Sequence, residues 1–227
     1  MAAANVPITA AETPPAGPDR VAIVGAGALG QQMAQHLRQA ATHQVVGFFD
    51  DTLPPGTPTP NGTVLGPLAA IDAHRTTGFD ALLLGIGYHH RAARERIFGE
   101  LLGRGIPFAR FVHPAAYVDR SARLGAGAFV SPGCTLDLNC SLADNVFLYP
   151  GCVVAHDTTI GAHSLLAPGV RLAGNVRIGE RCFLGIGTTI IDGLTLAPDI
   201  VTGGGSVVVR DLPAAGLYVG VPARRRP

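Results

Sequence analysis

The 227-residue chain contains no tryptophan and no lysine, so its 17 basic side chains are all arginine. Without lysine the chain cannot form a Schiff base with a carbonyl cofactor, and it has no Walker-type phosphate lysine. The arginines nearly balance 16 acidic residues, and the resulting net charge of +1 argues against broad nucleic-acid binding. No apolar run reaches the roughly 18 residues that a membrane-spanning helix needs.

Residues 1–19 lack the positive start and apolar block of a secretory signal. They are rich in Ala, Pro and Thr, which predicts a flexible tail, and we expect a cytoplasmic protein. Aromatic residues are scarce at 6%, whereas glycine is abundant at 30 residues. This composition favours a repetitive fold with small side chains and many turns.

Residues 20–112 alternate between short apolar runs and helical patterns, which predicts a Rossmann-like α/β domain with a parallel sheet. A strand at Val21–Val24 leads into the GxGxxG pattern of Gly25–Gly30 and then a helix over Gln31–Ala41. The other predicted elements are a strand at Val45–Phe49, a proline-rich loop over Thr52–Thr63, a strand at Ala81–Leu84, a helix over Arg91–Gly103 and a last strand at Phe108–Val112.

Residues 113–227 follow a six-residue period. Every sixth residue from Val118 to Val208 is aliphatic except Thr202, and the position two residues earlier is mostly small. This is the hexapeptide pattern of a parallel β-helix, in which three hexapeptides form one 18-residue coil. Four cysteines occupy the small slot, which indicates buried reduced thiols rather than a disulfide framework or a zinc site. They are Cys134, Cys140, Cys152 and Cys182.

Several motifs follow one another along nearly the whole chain after residue 20. They are the GxGxxG turn, Asp50-Asp51, Gly85-Ile86-Gly87, hexapeptides with His156-Asp157, and Gly220–Ala223. In this order they resemble the hexapeptide-repeat acyltransferases that include nucleotide-4-amino-sugar N-acetyltransferases and sialic acid O-acetyltransferases. The resemblance implies a left-handed β-helix, a homotrimer and acetyl-CoA bound between adjacent β-helices. It also implies a nucleotide sugar held by the N-terminal domain, with no metal.

The resemblance assigns catalysis to His156 as general base and to Asp157 as the acid that raises its basicity. An amine that attacks a thioester must lose a proton, and an imidazole with a pKa near 6.5 suits that task at neutral pH. His156 lies two residues past Val154, so we expect it at a coil turn and facing outward. The alternative is an exposed turn histidine that only bonds to Asp157.

The resemblance also implies four cofactor positions, Leu165, Gly174, Ile186 and Gly204. The family often has a second histidine where this chain has Leu165, so a backbone amide would have to replace it. His163 is then interpreted as a surface turn residue. For Arg224 and Arg225 the two options are contact with the CoA phosphates and a solvated tail, of which we favour the tail.

For the nucleotide sugar, the resemblance implies the GxGxxG turn and the ends of two later strands. The implied substrate-binding residues are Gly27, Ala28, Leu29, Asp50, Asp51 and Gly87. A helix N-terminus at the GxGxxG turn can receive a phosphate. His89 and His90 are interpreted as helix-start residues rather than ligands.

The leading hypothesis is an acetyltransferase that moves the acetyl group of acetyl-CoA to the amine of a nucleotide-linked 4-amino-dideoxy sugar by direct attack. The alternatives are O-acetylation of sialic acid or a related sugar, and a trimeric scaffold that senses nucleotides without turnover. An NAD-dependent oxidoreductase is disfavoured because the predicted sheet region is shorter than the ~150 residues that hydride-transfer domains usually need.

Overall fold

The structure is a computed structural model that describes residues 19–75 and 78–226. Residues 1–18 of the expected tail lie outside the described residues, and Asp19 opens the first strand. The N-terminal elements, in chain order, are β1 Asp19–Val24, α1 Ala28–Ala40, β2 His43–Phe49, β3 Pro58–Thr59, β4 Gly62–Gly66, α2 Ile71–His74, β5 Ala81–Leu84 and α3 Arg91–Gly103. Two 3-10 turns, Leu68–Ala70 and Tyr88–His90, precede α2 and α3.

These strands form one five-stranded sheet in the order β3-β4-β2-β1-β5, parallel except where β3 meets β4. The run Val21–Val24 is fully apolar because it lies in the middle of the sheet, covered on both faces. The GxGxxG turn packs tightly against the start of α1. A Cβ added to Gly30 would lie 1.9 Å from the carbonyl oxygen of Gly25, so only glycine allows this approach.

Two of the predicted elements were wrong in part. The predicted loop Thr52–Thr63 contains β3 and the start of β4, because Pro58 is tolerated on an edge strand that pairs over only two residues. The predicted strand Phe108–Val112 is divided. Phe108 forms an isolated bridge with Leu82, whereas Phe111–Val112 has left that sheet and pairs with Phe129–Val130.

From Phe111 onward the chain winds into a left-handed parallel β-helix with three faces. Paired residues up to Val208 lie 18 positions apart, as Thr135 and Val153 do, whereas the last coil is shorter and pairs Ile200 with Gly216. Face 1 consists of Tyr117–Val118, Thr135–Leu136, Val153–Val154, Arg171–Leu172, Thr189–Ile190 and Val207–Val208. Face 2 consists of Arg123–Leu124, Ser141–Leu142, Thr159–Ile160, Arg177–Ile178 and Thr195–Leu196. Face 3 consists of Phe111–Val112, Phe129–Val130, Phe147–Leu148, Leu165–Leu166, Phe183–Leu184, Ile200–Thr202, Gly216–Val219 and Arg224–Arg225.

The second residue of each strand pair points into the β-helix, as the six-residue period predicts. Leu136, Leu142, Leu148 and Val154 are fully buried there, and the four cysteines are buried beside them as free thiols. These stacked aliphatic side chains form one continuous core along the coil axis.

The first residue of each strand pair points outward, and its character differs between faces. Faces 1 and 2 carry polar or charged residues such as Thr159, Arg171 and Arg177, which are exposed. Face 3 instead carries Phe129 and Phe147, which are fully buried because the N-terminal part of the chain covers this face.

The N-terminal part contacts face 3 through ring packing and one ion pair. Tyr88 stacks on Phe183 with ring centroids 4.2 Å apart. Glu95 of α3 pairs with Arg181 of a coil turn at 3.2 Å. Among residues 19–75 and 78–226, no helix is long and apolar enough to cross a membrane.

Candidate active site

His156 and Asp157 lie side by side in the turn that joins face 1 to face 2, where the six-residue register predicts an outward position. The His156 imidazole Nδ1 is 2.9 Å from Asp157 Oδ2, and both side chains are about half exposed. Asp157 has a left-handed backbone with φ of 57°, which closes the tight turn. With Nδ1–H donating to the carboxylate, the free Nε2 lone pair is available to accept a proton.

The surroundings of the pair favour a charged imidazolium. The hydrogen bond to Asp157 raises the pKa of His156 above its ordinary value, and the negative charges of Asp137 and Asp192 act in the same direction. The same hydrogen bond, together with one from Asn139, lowers the pKa of the Asp157 carboxyl. The pair therefore combines an ionised carboxylate with a histidine of increased basicity.

Asn139 extends this pair by one coil, a contact that the sequence analysis missed. Its side-chain Nδ2 donates to Asp157 Oδ1 at 3.0 Å, and its backbone N–H donates to Ser121 Oγ at 2.8 Å. Asn139 lies 18 positions before Asp157, one turn of the coil. That spacing is the signal in the sequence by which this contact could have been found.

Gly174 lies directly against the imidazole of His156. A Cβ at this position would lie 2.6 Å from both Cε1 and Nε2 of His156, and 2.9 Å from Asp192 Oδ1. Any side chain here would displace the ring. Of the four predicted cofactor residues, Gly174 is therefore the one that adjoins the histidine.

Ile186 and Gly204 lie together on a different corner of the β-helix, where face 3 turns into face 1. Ile186 is exposed, and a Cβ on Gly204 would lie 3.0 Å from its Cγ2. Within one chain this corner does not meet the corner that carries His156 and Gly174. One chain thus presents two separate halves of the predicted cofactor set.

Leu165 does not fit the cofactor role that the resemblance implied. Its side chain is fully buried on face 3, where it belongs to the same apolar cluster as Phe129 and Phe147. A leucine is stable here because the N-terminal part of the chain excludes water from face 3. Leu165 therefore has no surface to offer a cofactor.

His163 is not the surface turn residue that we expected. Its Nδ1 lies 3.0 Å from Asn145 Nδ2, and its ring packs edge-on against Phe98 of α3 at 5.4 Å. Burial at this contact lowers the pKa of His163, so the imidazole is neutral at pH 7. His163 is a packing residue between α3 and the β-helix.

Arg224 and Arg225 form a short strand, which the interpretation as a tail did not anticipate. They pair antiparallel with Gly216–Val219 at the end of face 3, and their side chains are exposed.

A cavity of about 620 Å³ lies at the carboxyl ends of β1, β2 and β5, the edge where parallel sheets bind ligands. All six predicted substrate-binding residues line it: Gly27, Ala28, Leu29, Asp50, Asp51 and Gly87. His89 and His90 also line it, and they belong to the 3-10 turn that precedes α3. Tyr149 of the β-helix completes the wall, so the cavity reaches face 3.

The two aspartates of the cavity differ in the hydrogen bonds that they accept. Asp50 Oδ2 accepts the Ala26 N–H at 2.8 Å, and Asp50 Oδ1 accepts the Thr52 N–H at 2.8 Å. Burial alone would raise the pKa of Asp50, but the hydrogen bonds from Thr52 and Ala26 lower it. Asp51 uses only Oδ1, which accepts the Leu68 N–H. Asp50 therefore holds the segments of Ala26 and Thr52 with both carboxylate oxygens, whereas Asp51 accepts with one oxygen.

The cavity and His156 occupy different corners of one β-helix. Tyr149 belongs to the corner between faces 3 and 1, whereas His156 belongs to the corner between faces 1 and 2. Within the described residues, no group of three or more His, Cys, Asp or Glu side chains could hold a metal ion.

Comparison with known proteins agrees with this architecture. Residues 139–174 match the family model of the bacterial transferase hexapeptide, six repeats. The chain is 33% identical to a mutant of GDP-perosamine N-acetyltransferase from Caulobacter crescentus, solved with CoA and GDP-perosamine. That alignment covers 92% of this chain and 97% of the other, with a TM-score of 0.86.

Two further structures share the fold. The acetyltransferase domain of PglB from Neisseria gonorrhoeae, solved with acetyl coenzyme A, is 26% identical over 92% of this chain and 100% of its own, with a TM-score of 0.84. WeeI from Acinetobacter baumannii AYE is 19% identical over 91% of this chain and 99% of its own, with a TM-score of 0.60, which supports the fold alone. No curated protein sequence gives a significant match.

Proposed function

Because the chain belongs to the hexapeptide-repeat acyltransferase family that includes nucleotide-amino-sugar N-acetyltransferases, we propose that it transfers the acetyl group of acetyl-CoA to the amine of a nucleotide-linked 4-amino-dideoxy sugar. The observation that carries this proposal is the exposed His156–Asp157 pair with Gly174 beneath its ring. The relative solved with CoA and GDP-perosamine supports both the donor and the class of acceptor.

In the proposed reaction the sugar amine attacks the carbonyl carbon of the thioester. A C–N bond forms, the C–S bond breaks, and the electron pair leaves with sulfur. His156 Nε2 accepts the proton that the amine loses and returns it to the departing sulfur, so the products are the amide and CoA thiol. Asp157 holds the ring through Nδ1 and stabilises the imidazolium in between.

The site requires more than one chain under this proposal. The cavity proposed for the nucleotide sugar and the His156 turn lie on different corners of the same β-helix. Ile186 and Gly204 are likewise remote from Gly174. We therefore propose a homotrimer in which acetyl-CoA lies between neighbouring β-helices. The ligand in one chain's cavity then reaches His156 of a neighbouring subunit. Closed cyclic symmetry gives each chain the same contact.

The substrate test is release of CoA thiol from acetyl-CoA by purified protein with a panel of acceptors. The panel contains UDP-, GDP- and dTDP-4-amino sugars, with the corresponding 4-hydroxy sugars as matched controls, and free and CMP-linked sialic acid. We expect release with one or more amino sugars and none with its hydroxyl counterpart. Release with sialic acid alone would replace the proposal with O-acetylation, and failure to bind acetyl-CoA at all would favour the scaffold.

The role of His156 is tested by His156→Ala. Loss of the general base should lower kcat by roughly 10²–10⁴-fold while the melting temperature stays close to that of wild type, since the side chain is half exposed. His43→Ala, at the start of β2 and so at the opposite end of the sheet from the cavity, is the histidine control and should retain activity. A His156→Ala protein within threefold of wild-type kcat would remove His156 from the mechanism.

A further inference from the structure

Arg94 of α3 is a fully buried guanidinium that contacts both parts of the molecule. Its side chain is 1% exposed. Nη1 donates to the carbonyl oxygens of Leu84 at 2.7 Å and Ile86 at 3.0 Å, and Nη2 donates to the carbonyl oxygen of Asn145 at 3.0 Å. Leu84 ends β5 and Ile86 lines the cavity, whereas Asn145 belongs to a turn of the β-helix.

This positive charge has no negative partner near it. Within the described residues no carboxylate lies within 4 Å of Arg94, and its Nε has no hydrogen-bond acceptor. Burial lowers the pKa of Arg94 to about 9, so the group is still charged at pH 7. Burying an unpaired charge costs free energy. A neutral donor could make hydrogen bonds to the same carbonyl oxygens, so hydrogen bonding alone does not explain a charged group here.

The cavity beside Arg94 has carboxylates in its described wall that no arginine there balances. Its described lining includes no arginine, and the chain has no lysine, yet Asp50 and Asp51 both contribute to the wall. A nucleoside diphosphate bound there would bring further negative charge into a site whose fixed side-chain charges are already negative. Apart from His89 and His90, which titrate, a compensating positive charge has to come from behind the wall or from backbone N–H groups.

One peptide group connects the cation with the cavity. The carbonyl of Ile86 accepts from Arg94, and the N–H of the same peptide belongs to Gly87, which lines the cavity. In a trans peptide the C=O and N–H point in opposite directions, so this N–H points away from Arg94. Among the described residues, no backbone or side-chain acceptor takes the Gly87 N–H. A cation on the carbonyl polarises the peptide and strengthens its N–H as a donor.

We propose that Arg94 is a positioning residue for the diphosphate of the substrate. Its buried charge acts through the Ile86–Gly87 peptide, so that the cavity favours a nucleoside diphosphate over an uncharged nucleoside without an arginine in its described wall. This inference rests on the proposed function, because it concerns the nucleotide portion of that substrate. The bond to Asn145 fixes the same guanidinium to the β-helix.

Arg94→Gln separates the charge of Arg94 from its hydrogen bonds, because it keeps an amide donor but removes the charge. Arg96→Gln is the matched control, since Arg96 lies on the same helix but is exposed and pairs with Glu100. Each full-length protein is titrated by calorimetry with UDP, GDP and dTDP, and with uridine, guanosine and thymidine.

The measured quantity is the ratio of nucleoside Kd to nucleoside diphosphate Kd for the base that binds. We expect Arg94→Gln to lower this ratio by about tenfold or more, and we expect Arg96→Gln to stay within about threefold of wild type. A mutant that only loosened the fold would weaken both ligands alike and leave the ratio unchanged. An unchanged ratio in folded Arg94→Gln protein therefore overturns the inference.

A second measurement uses the wild-type protein, so it does not depend on whether Arg94 variants fold. The Gly87 amide is followed by NMR in glycine-labelled protein, with Gly87→Ala to assign its resonance. We expect a downfield proton shift with the diphosphate that the nucleoside does not produce, and its absence overturns the inference. If wild-type protein binds none of the three diphosphates, the nucleotide-sugar substrate fails along with the inference. If it binds them and only the Arg94 ratio is unchanged, the proposed function stands.

Discussion

Gly174 shows how one missing side chain shapes the surroundings of His156. The space beside the imidazole exists because the residue one coil further along has no Cβ. The six-residue pattern places Gly174 at a turn, but it does not indicate that the turn touches a histidine. That contact follows from the 18-residue stacking of turns on one corner.

Gly174→Ala tests this packing. The new Cβ would lie 2.6 Å from Nε2 of His156 and push the ring away from the position that faces the substrate. We expect kcat to fall by about 10- to 100-fold, because a shift of about 1 Å in a catalytic group has effects of that size. The melting temperature should change little, since the atoms displaced belong to exposed side chains.

Gly99→Ala is the control for this glycine substitution. Gly99 lies in α3, and a Cβ there meets no atom within 4 Å. Its activity should equal that of wild type, with equal or greater stability because alanine favours helix. Equal kcat for Gly174→Ala and Gly99→Ala would mean that the His156 ring need not occupy its observed position.

The resemblance implied six substrate-binding residues, and all six line one cavity because each follows a strand that ends at the same edge of the sheet. Their binding role stays a prediction. No comparable local signal marks Leu165 or Arg94. Whether an outward residue of face 3 meets solvent or the N-terminal part, and whether an arginine of α3 is buried, depend on contacts between distant segments.

At the scale of elements, the turns stacked on one corner of the β-helix form a column of hydrogen-bonded residues. Ser121, Asn139 and Asp157 follow one another at 18-residue intervals, and each is hydrogen-bonded to the next. The column ends at the His156 imidazole. The strand periodicity predicts the column, but the hydrogen bonds depend on which polar residue occupies each turn.

Asn139→Gly tests whether the column sets the basicity of His156. Asn139 has φ of 57°, so glycine adopts its backbone conformation without strain. Loss of the bond to Asp157 Oδ1 should loosen the carboxylate and move the pKa of His156 down toward 6.5. Because the unprotonated imidazole is the active base, kcat/KM rises with pH through this pKa, and its midpoint should move to lower pH.

Asn139→Asp should have the opposite effect, since a second carboxylate beside Asp157 favours the imidazolium and moves the midpoint to higher pH. Asn175→Gly is the matched control, with a φ of 58° at the turn one coil beyond Asp157. The pKa of His156 is read by NMR without substrate and compared with the kinetic midpoint. Identical midpoints for both Asn139 variants and wild type would show that Asn139 has no part in the titration.

The elements themselves were largely predictable. α3 was predicted at its observed bounds, and every hexapeptide slot between Val118 and Val208 falls within a strand of the β-helix. One error lies within the N-terminal sheet, at the short edge strand β3, and the other lies where the sheet and the β-helix meet. Phe108–Val112 is apolar throughout, and an apolar run does not reveal that Phe108 bridges one sheet while Phe111 opens another.

At the scale of the whole molecule, the three faces of the β-helix have different surroundings. Face 3 is covered by the chain's own N-terminal part, whereas faces 1 and 2 expose their outward residues. Exposed apolar side chains such as Tyr117, Leu138 and Ile191 surround the corner that bears His156. This distribution agrees with a neighbouring subunit at that corner, as the proposed trimer requires.

Complementation between two inactive variants tests that assembly. His156→Ala retains the cavity, and Gly87→Phe fills the cavity while retaining His156, since a Cβ on Gly87 meets no atom within 4 Å. Each variant alone should be inactive. If the cavity of one chain works with His156 of another, co-expressed mixed oligomers should recover about a quarter to a third of wild-type activity.

Different affinity tags on the two variants and tandem purification confirm that mixed oligomers have formed before activity is measured. Mixing the two proteins without exchange of subunits is the control and should give no activity. Mixed oligomers that remain inactive would place the cavity and the histidine of one reaction in the same chain.

The constant coil length restricts how this molecule can change during evolution. Loss or gain of a whole coil keeps each surviving turn on its corner, so the stacking of neighbours such as Asp157 and Asn139 is preserved. A change of six residues also preserves the inward pattern, yet it rotates everything that follows by one third of a turn. His156 would then move to another corner while the core remained intact. Insertions of the wrong multiple would thus keep the inward-facing core while the reactive groups no longer meet.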